Sequence, residues 1–329
     1  MNHFPSLRRG MRHLLVPVLG ALLLAAGPVR AQTWPAKPIR VVISAAAGTG
    51  SDVLTRLVVN KMADRLKTQV VVENRTGAGA IVGVNYLKSA PADGYTIGVV
   101  QSANTIQPWL VKDLPFDLRR DFAPLVLQYT VPLQVFAAVD GPIKSVAEVP
   151  AYVKANPGKV FFGTTGVGST GHLSGELWKQ LAGLDMTAVF FKGSPEMISA
   201  AVSGNIQIYF DALAASKPLV EAGRLRILAV TSKTRMSTLP NVPALAESFP
   251  GFDVIGWVGL AAPRGTPRDI VERLAGELGA VLQQPDTRKT IIDGGGEPSG
   301  MGPADFLALI NADTEKWGRV VKAAGLKTE

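Results

Sequence analysis

The residues best suited to chemistry in this chain are glycines and hydroxyls rather than acids, bases or thiols. Gly166-Val167-Gly168-Ser169-Thr170-Gly171 stands between an apolar run and an amphipathic stretch. A loop of this kind opening a helix presents unpaired backbone N–H groups at the positive end of the helix dipole. Together these hold a carboxylate or phosphate without a Lys or Arg. A second glycine-rich loop, over 45–50, repeats the device about 120 residues earlier, so two such loops facing across a cleft would clasp one small anion from both sides. The G-x-G-x-x-G spacing also fits a dinucleotide fingerprint, which needs an acid at the end of the next strand for the ribose. Here the expected strand over 187–191 is followed by Lys192, and Asp185 stands before it, at the wrong end. A Lys there suits a 2′-phosphate, which weakens NADP rather than eliminating it; no cofactor is expected. Glycines serving only as tight turns remain the plainer alternative, weakened by finding the device twice.

Catalytic constellations are sparse. Cysteine is absent, which excludes disulfides, thiol catalysis, iron–sulfur ligation and zinc sites of the Cys type. Of the three histidines, His3 and His13 fall in a segment expected to be removed, leaving His172. A histidine metal cluster cannot form from one residue. A Ser–His–Asp arrangement would have to use His172, and neither a G-x-S-x-G elbow nor a G-x-x-x-x-G-K-[ST] loop occurs. No pair of carboxylates stands out for glycoside chemistry. No catalytic residue and no metal site are expected.

Residues 1–31 have the three-part layout of a secretory signal. Arg8, Arg9 and Arg12 precede an apolar run over 14–26, and Val29-Arg30-Ala31 offers a small-x-small cleavage site before Gln32. That run falls short of the roughly 20 residues a membrane span needs. The Arg8-Arg9 pair leaves the twin-arginine route open beside the general one. Removing the four arginines of this segment lowers the formal net charge from +8 to +4. The remaining Lys and Arg are scattered, without the stripe a nucleic-acid site would show. With no cysteine to carry a lipid and no later apolar run of span length, a freely diffusing periplasmic protein without membrane insertion is expected.

The anion loops need a scaffold that brings them together. The chain has 329 residues, 47% hydrophobic and 18% charged, enough for one large domain or two smaller ones. Short apolar runs alternate with amphipathic stretches: strands over 39–44, 69–73 and 95–101, and a helix over 51–66. The alternation restarts with strands over 159–163, 187–191, 206–210 and 225–231, and helices over 172–182, 195–203 and 216–222. The last third, with helices over 267–282 and 304–324, is mostly helical. This pattern predicts an α/β protein of two lobes, each a mostly parallel sheet flanked by helices. Extended apolar stretches over 125–139 and 254–262 are candidates for crossing between them. The expected division is residues 32–130 plus 257–329 in one lobe and 131–256 in the other, joined by a two-strand hinge with the cleft between.

Several motifs, in order, resemble one family across nearly the whole mature length. They are Trp34-Pro35-Ala36-Lys37-Pro38-Ile39-Arg40, Val72-Glu73-Asn74-Arg75 with Gly77-Ala78-Gly79, Asp93-Gly94-Tyr95-Thr96, and Leu114-Pro115-Phe116-Asp117. Asp121-Phe122-Ala123-Pro124, Leu239-Pro240-Asn241-Val242-Pro243 and Ala262-Pro263-Arg264-Gly265-Thr266-Pro267 continue the series. The chain thus resembles the extracytoplasmic solute receptors of tripartite tricarboxylate transporters, the TctC-like or Bug family.

The resemblance implies a type II periplasmic binding-protein fold closing over a small carboxylate. It implies ligand contacts from Gly48, Thr49, Gly50 and Ser51 in one lobe and from Thr164, Thr165, Gly168, Ser169 and Thr170 in the other. Ser102 and Asn104 match a family loop near the cleft. Asp211 matches an acidic position that could accept a ligand amine, hold a bridging water or cap a helix. His172 also matches a family position, with capping or packing as plausible as ligand contact. The departures concern cargo: Ser44-Ala45 replaces proline and an aromatic residue, Ala212 an asparagine, and Phe191 a tyrosine. The function implied is a monomeric receptor that captures a small organic anion and delivers it to two integral membrane transporter subunits, performing no chemistry. A ligand-presenting sensor subunit and an exported enzyme on the same fold are the alternatives.

Overall fold

Short β-branched runs such as Ile39–Ile43 and Val70–Asn74 cannot bury enough surface as single helical turns, and they pair as strands instead. A computed structural model describes Met1 and residues 34–326; the expected signal, 1–31, lies outside the described residues apart from Met1. The strands in chain order are β1 (Ile39–Ile43), β2 (Val70–Asn74), β3 (Thr96–Gln101), β4 (Phe122–Pro132), β5 (Gln134–Ala138) and β6 (Phe161–Thr164). Then follow β7 (Thr187–Phe190), β8 (Ile208–Asp211), β9 (Leu225–Val230), β10 (Ile255–Pro263) and β11 (Glu297–Met301).

They form two sheets, one of six strands in the order β11-β4-β10-β3-β1-β2 and one of five in the order β7-β6-β8-β5-β9. Each sheet with its flanking helices makes a lobe. Helices Gly50–Leu66 and Ile81–Lys88 connect the strands of the first, and Thr170–Ala182 and Ser194–Val202 those of the second. Parallel pairing is confined to one end of each sheet, β2-β1-β3 and β7-β6-β8; β10 against β3 and β4, β11 against β4, and β5 against β8 and β9 are antiparallel. The sheets are therefore mixed where the sequence predicts mostly parallel ones. A buried run of Val, Leu and Ala reads alike in either direction, so periodicity does not report strand polarity.

The chain passes from the first sheet to the second at Leu133, between β4 and β5, and returns between β9 and β10. The two passages are stitched together. Fully buried Thr231 accepts from the Leu133 N–H at 2.9 Å and donates to the Leu133 carbonyl at 3.1 Å through one hydroxyl, and the Val254 N–H donates to the Thr231 carbonyl at 2.9 Å.

Each lobe has its own core. Val84, Leu87, Val100, Leu127 and Trp257 fill the first, and Val135, Phe162, Leu173, Trp178 and Phe252 the second. On the other face of the second sheet, Phe136 stacks on Tyr209 with ring centroids 4.9 Å apart. The 21-residue helix Pro303–Ala323 belongs to both cores. At about 1.5 Å per residue it is roughly 30 Å long, enough to reach from one to the other. Phe306 and Ile310 pack in the first core, while Trp317, Val320 and Val321 pack in the second.

Trp317 is therefore a long lever on stability. Trp317→Ala leaves a cavity where the helix meets the second core, and a loss of about 3–5 kcal/mol is expected in urea denaturation. A loss under about 1 kcal/mol would mean that this end of the helix is not packed as described.

Candidate functional site

The two glycine loops are built alike. Gly48 and Gly168 have φ of 80° and 73°, and each is followed by a helix N-cap of nearly identical backbone, Thr49 (φ −70°, ψ 159°) and Ser169 (φ −66°, ψ 158°). The Thr49 hydroxyl accepts from the Asp52 N–H at 3.4 Å, and the Ser169 hydroxyl accepts from the His172 N–H at 3.2 Å. In both, the glycine N–H is spent on the side chain four residues on: Gly48 donates to Asp52 Oδ2 at 2.9 Å and Gly168 to His172 Nδ1 at 3.1 Å. The donors left over are those of the first helical positions, Gly50 and Ser51 in one lobe and Thr170 and Gly171 in the other, which have no intrahelical acceptor.

The caps differ in charge. Burial alone would push the Asp52 carboxyl up, but hydrogen bonds from Asn74, Gly48 and Arg56 outweigh it and hold the group below the usual range. Arg56 Nε lies 2.9 Å and Asn74 Nδ2 2.8 Å from Asp52 Oδ1. The first loop therefore ends on a neutralised carboxylate, the second on an imidazole.

Between the lobes lies a cleft of about 470 Å3. One wall is the turn carrying Ala78, Gly79 and Ile81 with the segment of Ala103, Ile106, Gln107, Leu110 and Val111. The facing wall is Thr165, Gly166, Val167, Gly168 and Ser169. The walls nearly touch: a Cβ built on Gly168 would lie 2.3 Å from Leu110 Cδ1. Glycine at 168 is thus required both by its left-handed φ and by the approach of Leu110. Nothing lies within 4 Å of a Cβ at Gly48, which shares the φ but not the crowding.

Of the residues the sequence points to, Thr165, Gly168 and Ser169 line this cleft. Gly48, Thr49, Gly50 and Ser51 do not; the first three are exposed on the first lobe. Thr164 lies behind the wall, fully buried, sharing a 2.9 Å hydrogen bond with Ser169 Oγ. Thr170 is the first helical residue after Ser169, its carbonyl accepting from Ser174 Oγ at 2.7 Å. Ser102 and Asn104 are buried beneath the cleft. Asn104 Oδ1 accepts from the Gln101 N–H at 2.9 Å, and Asn104 Nδ2 donates to Gln107 Oε1 at 3.0 Å. Asp211 ends β8 outside the lining and accepts from the Ala212 N–H at 2.8 Å. Burial pushes its carboxyl up, against hydrogen bonds from Ser194 and Ala212 that pull it down.

The first-lobe wall is what sequence reasoning missed. Ala78, Gly79 and Ala80 have φ of 45°, 62° and 81°, a left-handed run that costs an alanine about 1–2 kcal/mol per residue. Such strain persists where the surroundings over-determine it. Gln107 Nε2 donates to the Gly79 carbonyl at 2.6 Å, and Trp109 Nε1 to the Thr314 carbonyl of the helix Pro303–Ala323 at 2.8 Å. The Gly77-Ala78-Gly79 triplet was the available signal, but alanine carries no turn preference that would have placed it in a wall.

Known proteins share this two-lobed fold. The profile of the family described as tripartite tricarboxylate transporter family receptor matches residues 54–326. A protein encoded in the tcbD-tcbE intergenic region of Pseudomonas sp. (strain P51) is 32% identical over 317 residues, 95% of this chain and 94% of its own. Among solved structures, the R. palustris protein Rpa4515 with adipate is 33% identical with a TM-score of 0.74, covering 90% of this chain and 100% of its own. A Rhodopseudomonas palustris protein with bound malate, MatC, is 28% identical with a TM-score of 0.69, covering 88% and 100%.

His172 links this wall to pH. It is 2% exposed, and because Nδ1 accepts from Gly168 the ring proton sits on Nε2, 3.9 Å from Glu176 Oε1. Burial holds the imidazole below its ordinary 6.5; Glu176 favours the charged form and Lys179 opposes it. The unfolded chain therefore takes up this proton first as pH falls, and the folded state loses stability as pH drops below about 6.5. NMR titration should place His172 below that value. His172→Gln should flatten the part of the stability profile between about pH 7 and 5; an unchanged slope would show that His172 titrates as in an unfolded chain.

Proposed function

The chain belongs to the tripartite tricarboxylate transporter receptor family, and from that premise we propose that it captures a small organic carboxylate between its two lobes and hands it to the membrane subunits of a transporter. The observation that carries this reading is the cleft itself, walled on one side by a loop that opens the helix Thr170–Ala182. Thr170 and Gly171 bring N–H groups without helical acceptors to that end of the helix, where the dipole favours negative charge. Thr164 and Ser169 brace the loop, and the Thr165 hydroxyl is free to add a contact. The adipate and malate in the two related structures are carboxylates of suitable size.

The remaining assignments follow from the same premise. Residues 1–31 direct export and are removed, leaving a monomer in the periplasm that performs no chemistry on its cargo. Among the described residues no helix is long and apolar enough to cross a membrane. Residues 32–130 plus 257–329 form one lobe and 131–256 the other, with the passages at Leu133 and at Thr231 to Val254 as the two strands of the hinge. The helix Pro303–Ala323 accompanies any closure, since its ends sit in different cores. Two integral membrane subunits receive the closed form.

Binding tests the reading directly. The purified protein, unfolded and refolded to strip any resident ligand, should gain several degrees in melting temperature with at least one organic acid supplied far above its Kd. No shift across mono-, di- and tricarboxylates would overturn it. Two variants then locate the seat. Gly168→Ala and Gly48→Ala share the cost of a left-handed alanine, but only the first drives a methyl into Leu110. Affinity should fall at least ten-fold in Gly168→Ala and stay within about three-fold in Gly48→Ala. Equal losses would place the ligand elsewhere.

A further inference from the structure

The polar groups of the cleft are few, and most are already spent. Among the described residues no charged side chain lines it. Gln107 is used at both ends, its Nε2 on the Gly79 carbonyl at 2.6 Å and its Oε1 by Asn104 Nδ2 at 3.0 Å. Ser169 Oγ is shared between Thr164 at 2.9 Å and the His172 N–H at 3.2 Å. The rest of the side-chain surface is aliphatic, from Ile81, Ile106, Leu110, Val111 and Val167. Val167 and the nearby Val82 stand 65% and 48% exposed, so the apolar character continues outward from the interior.

Such a wall discriminates between acids by what lies beyond the carboxylate. A hydroxyl or amine on the body of the cargo, or a carboxylate branching from it, would be stripped of water against aliphatic carbon with no free partner, and an unmade buried hydrogen bond weakens binding more than a made one strengthens it. A methylene chain or ring loses nothing there and gains contact area. We propose that the cargo is an organic acid with an unsubstituted hydrocarbon body, its carboxylate held by backbone N–H groups and the Thr165 hydroxyl. Hydroxylated and tricarboxylic acids are then the rejected class. The inference rests on the receptor reading above and narrows it.

Calorimetry on the refolded protein with four acids separates the two. Hexanoate and adipate supply unsubstituted bodies with one and two carboxylates; malate adds a hydroxyl, and citrate a hydroxyl and a third carboxylate. Either hexanoate or adipate should bind at least ten-fold tighter than both malate and citrate. Malate or citrate binding as tightly would overturn this inference and leave a carboxylate receptor standing. Binding of none of the four would overturn this inference, and the receptor reading would stand or fall on the wider panel of acids above. Leu110→Ser should reduce the preference to under three-fold by giving the wall a free hydroxyl. A preference unchanged in that variant, with the melting temperature near that of the parent, would show that this wall does not set specificity.

Discussion

A helix that begins where a strand ends leaves N–H groups that nothing within the helix can satisfy, and both lobes of this protein are arranged around that constraint. The solution is the same twice. A left-handed glycine turns the chain, a hydroxyl N-cap takes one N–H, and the side chain four residues later takes the glycine's own. What remains are two forward-pointing donors per loop, too few to need a counter-charge and enough to hold an oxyanion. The difference between the copies lies in what faces them. Residues 48–50 are exposed, whereas Gly168 meets Leu110 and becomes part of a wall. A duplicated device thus yields an asymmetric cleft.

The opposite wall is held by strain and packing rather than by a motif. The left-handed run through Ala78 and Ala80 persists because Gln107 grips the Gly79 carbonyl, and Gln107 is fixed in turn by Asn104. Trp109 extends the chain of support to the helix Pro303–Ala323 through the Thr314 carbonyl. Gly318 makes room for it, since a Cβ there would lie 2.6 Å from the Trp109 ring. The far end of that helix is buried in the second core through Trp317. One element therefore braces the wall of the first lobe while rooted in the second, which ties the shape of the cleft to the relative position of the sheets.

Local features and the two-lobed α/β plan were legible in the sequence, whereas strand polarity and the contacts that join distant segments were not. The strand over 39–44 and the helix over 51–66 appear as Ile39–Ile43 and Gly50–Leu66, because β-branched runs, glycine turns and N-caps are decided within a few residues. The stretch over 125–139 read as one extended segment, yet it is two strands in different sheets, separated by Leu133. Pro132 is a local mark near the break, but the change of sheet depends on Thr231 pairing with Leu133 from 98 residues away. Asn104 is marked in the sequence by its match to a family loop near the cleft; the fold buries it and gives it two internal bonds, from the Gln101 N–H and to Gln107, which no local pattern announces. Ile106, Leu110 and Val111 carry no chemical signal at all, and only the fold brings them opposite the glycine loop.

A receptor whose cleft is walled this way can acquire a new cargo by exchanging a few aliphatic side chains. On the proposed reading the donors that hold the carboxylate are backbone groups, fixed by the fold and indifferent to most substitutions around them. Selectivity must then come from side chains that touch the rest of the ligand, and here those are aliphatic residues on a segment whose own polar groups face inward. Exchanging a leucine for a serine in such a wall alters which acids fit without disturbing the N-cap or the glycine φ, at the cost of the contact Leu110 makes with the second core. The physical separation of anion capture from body recognition lets one part of the site remain constant while the other changes, because the hydrogen bonds that maintain the first do not pass through the residues that make up the second.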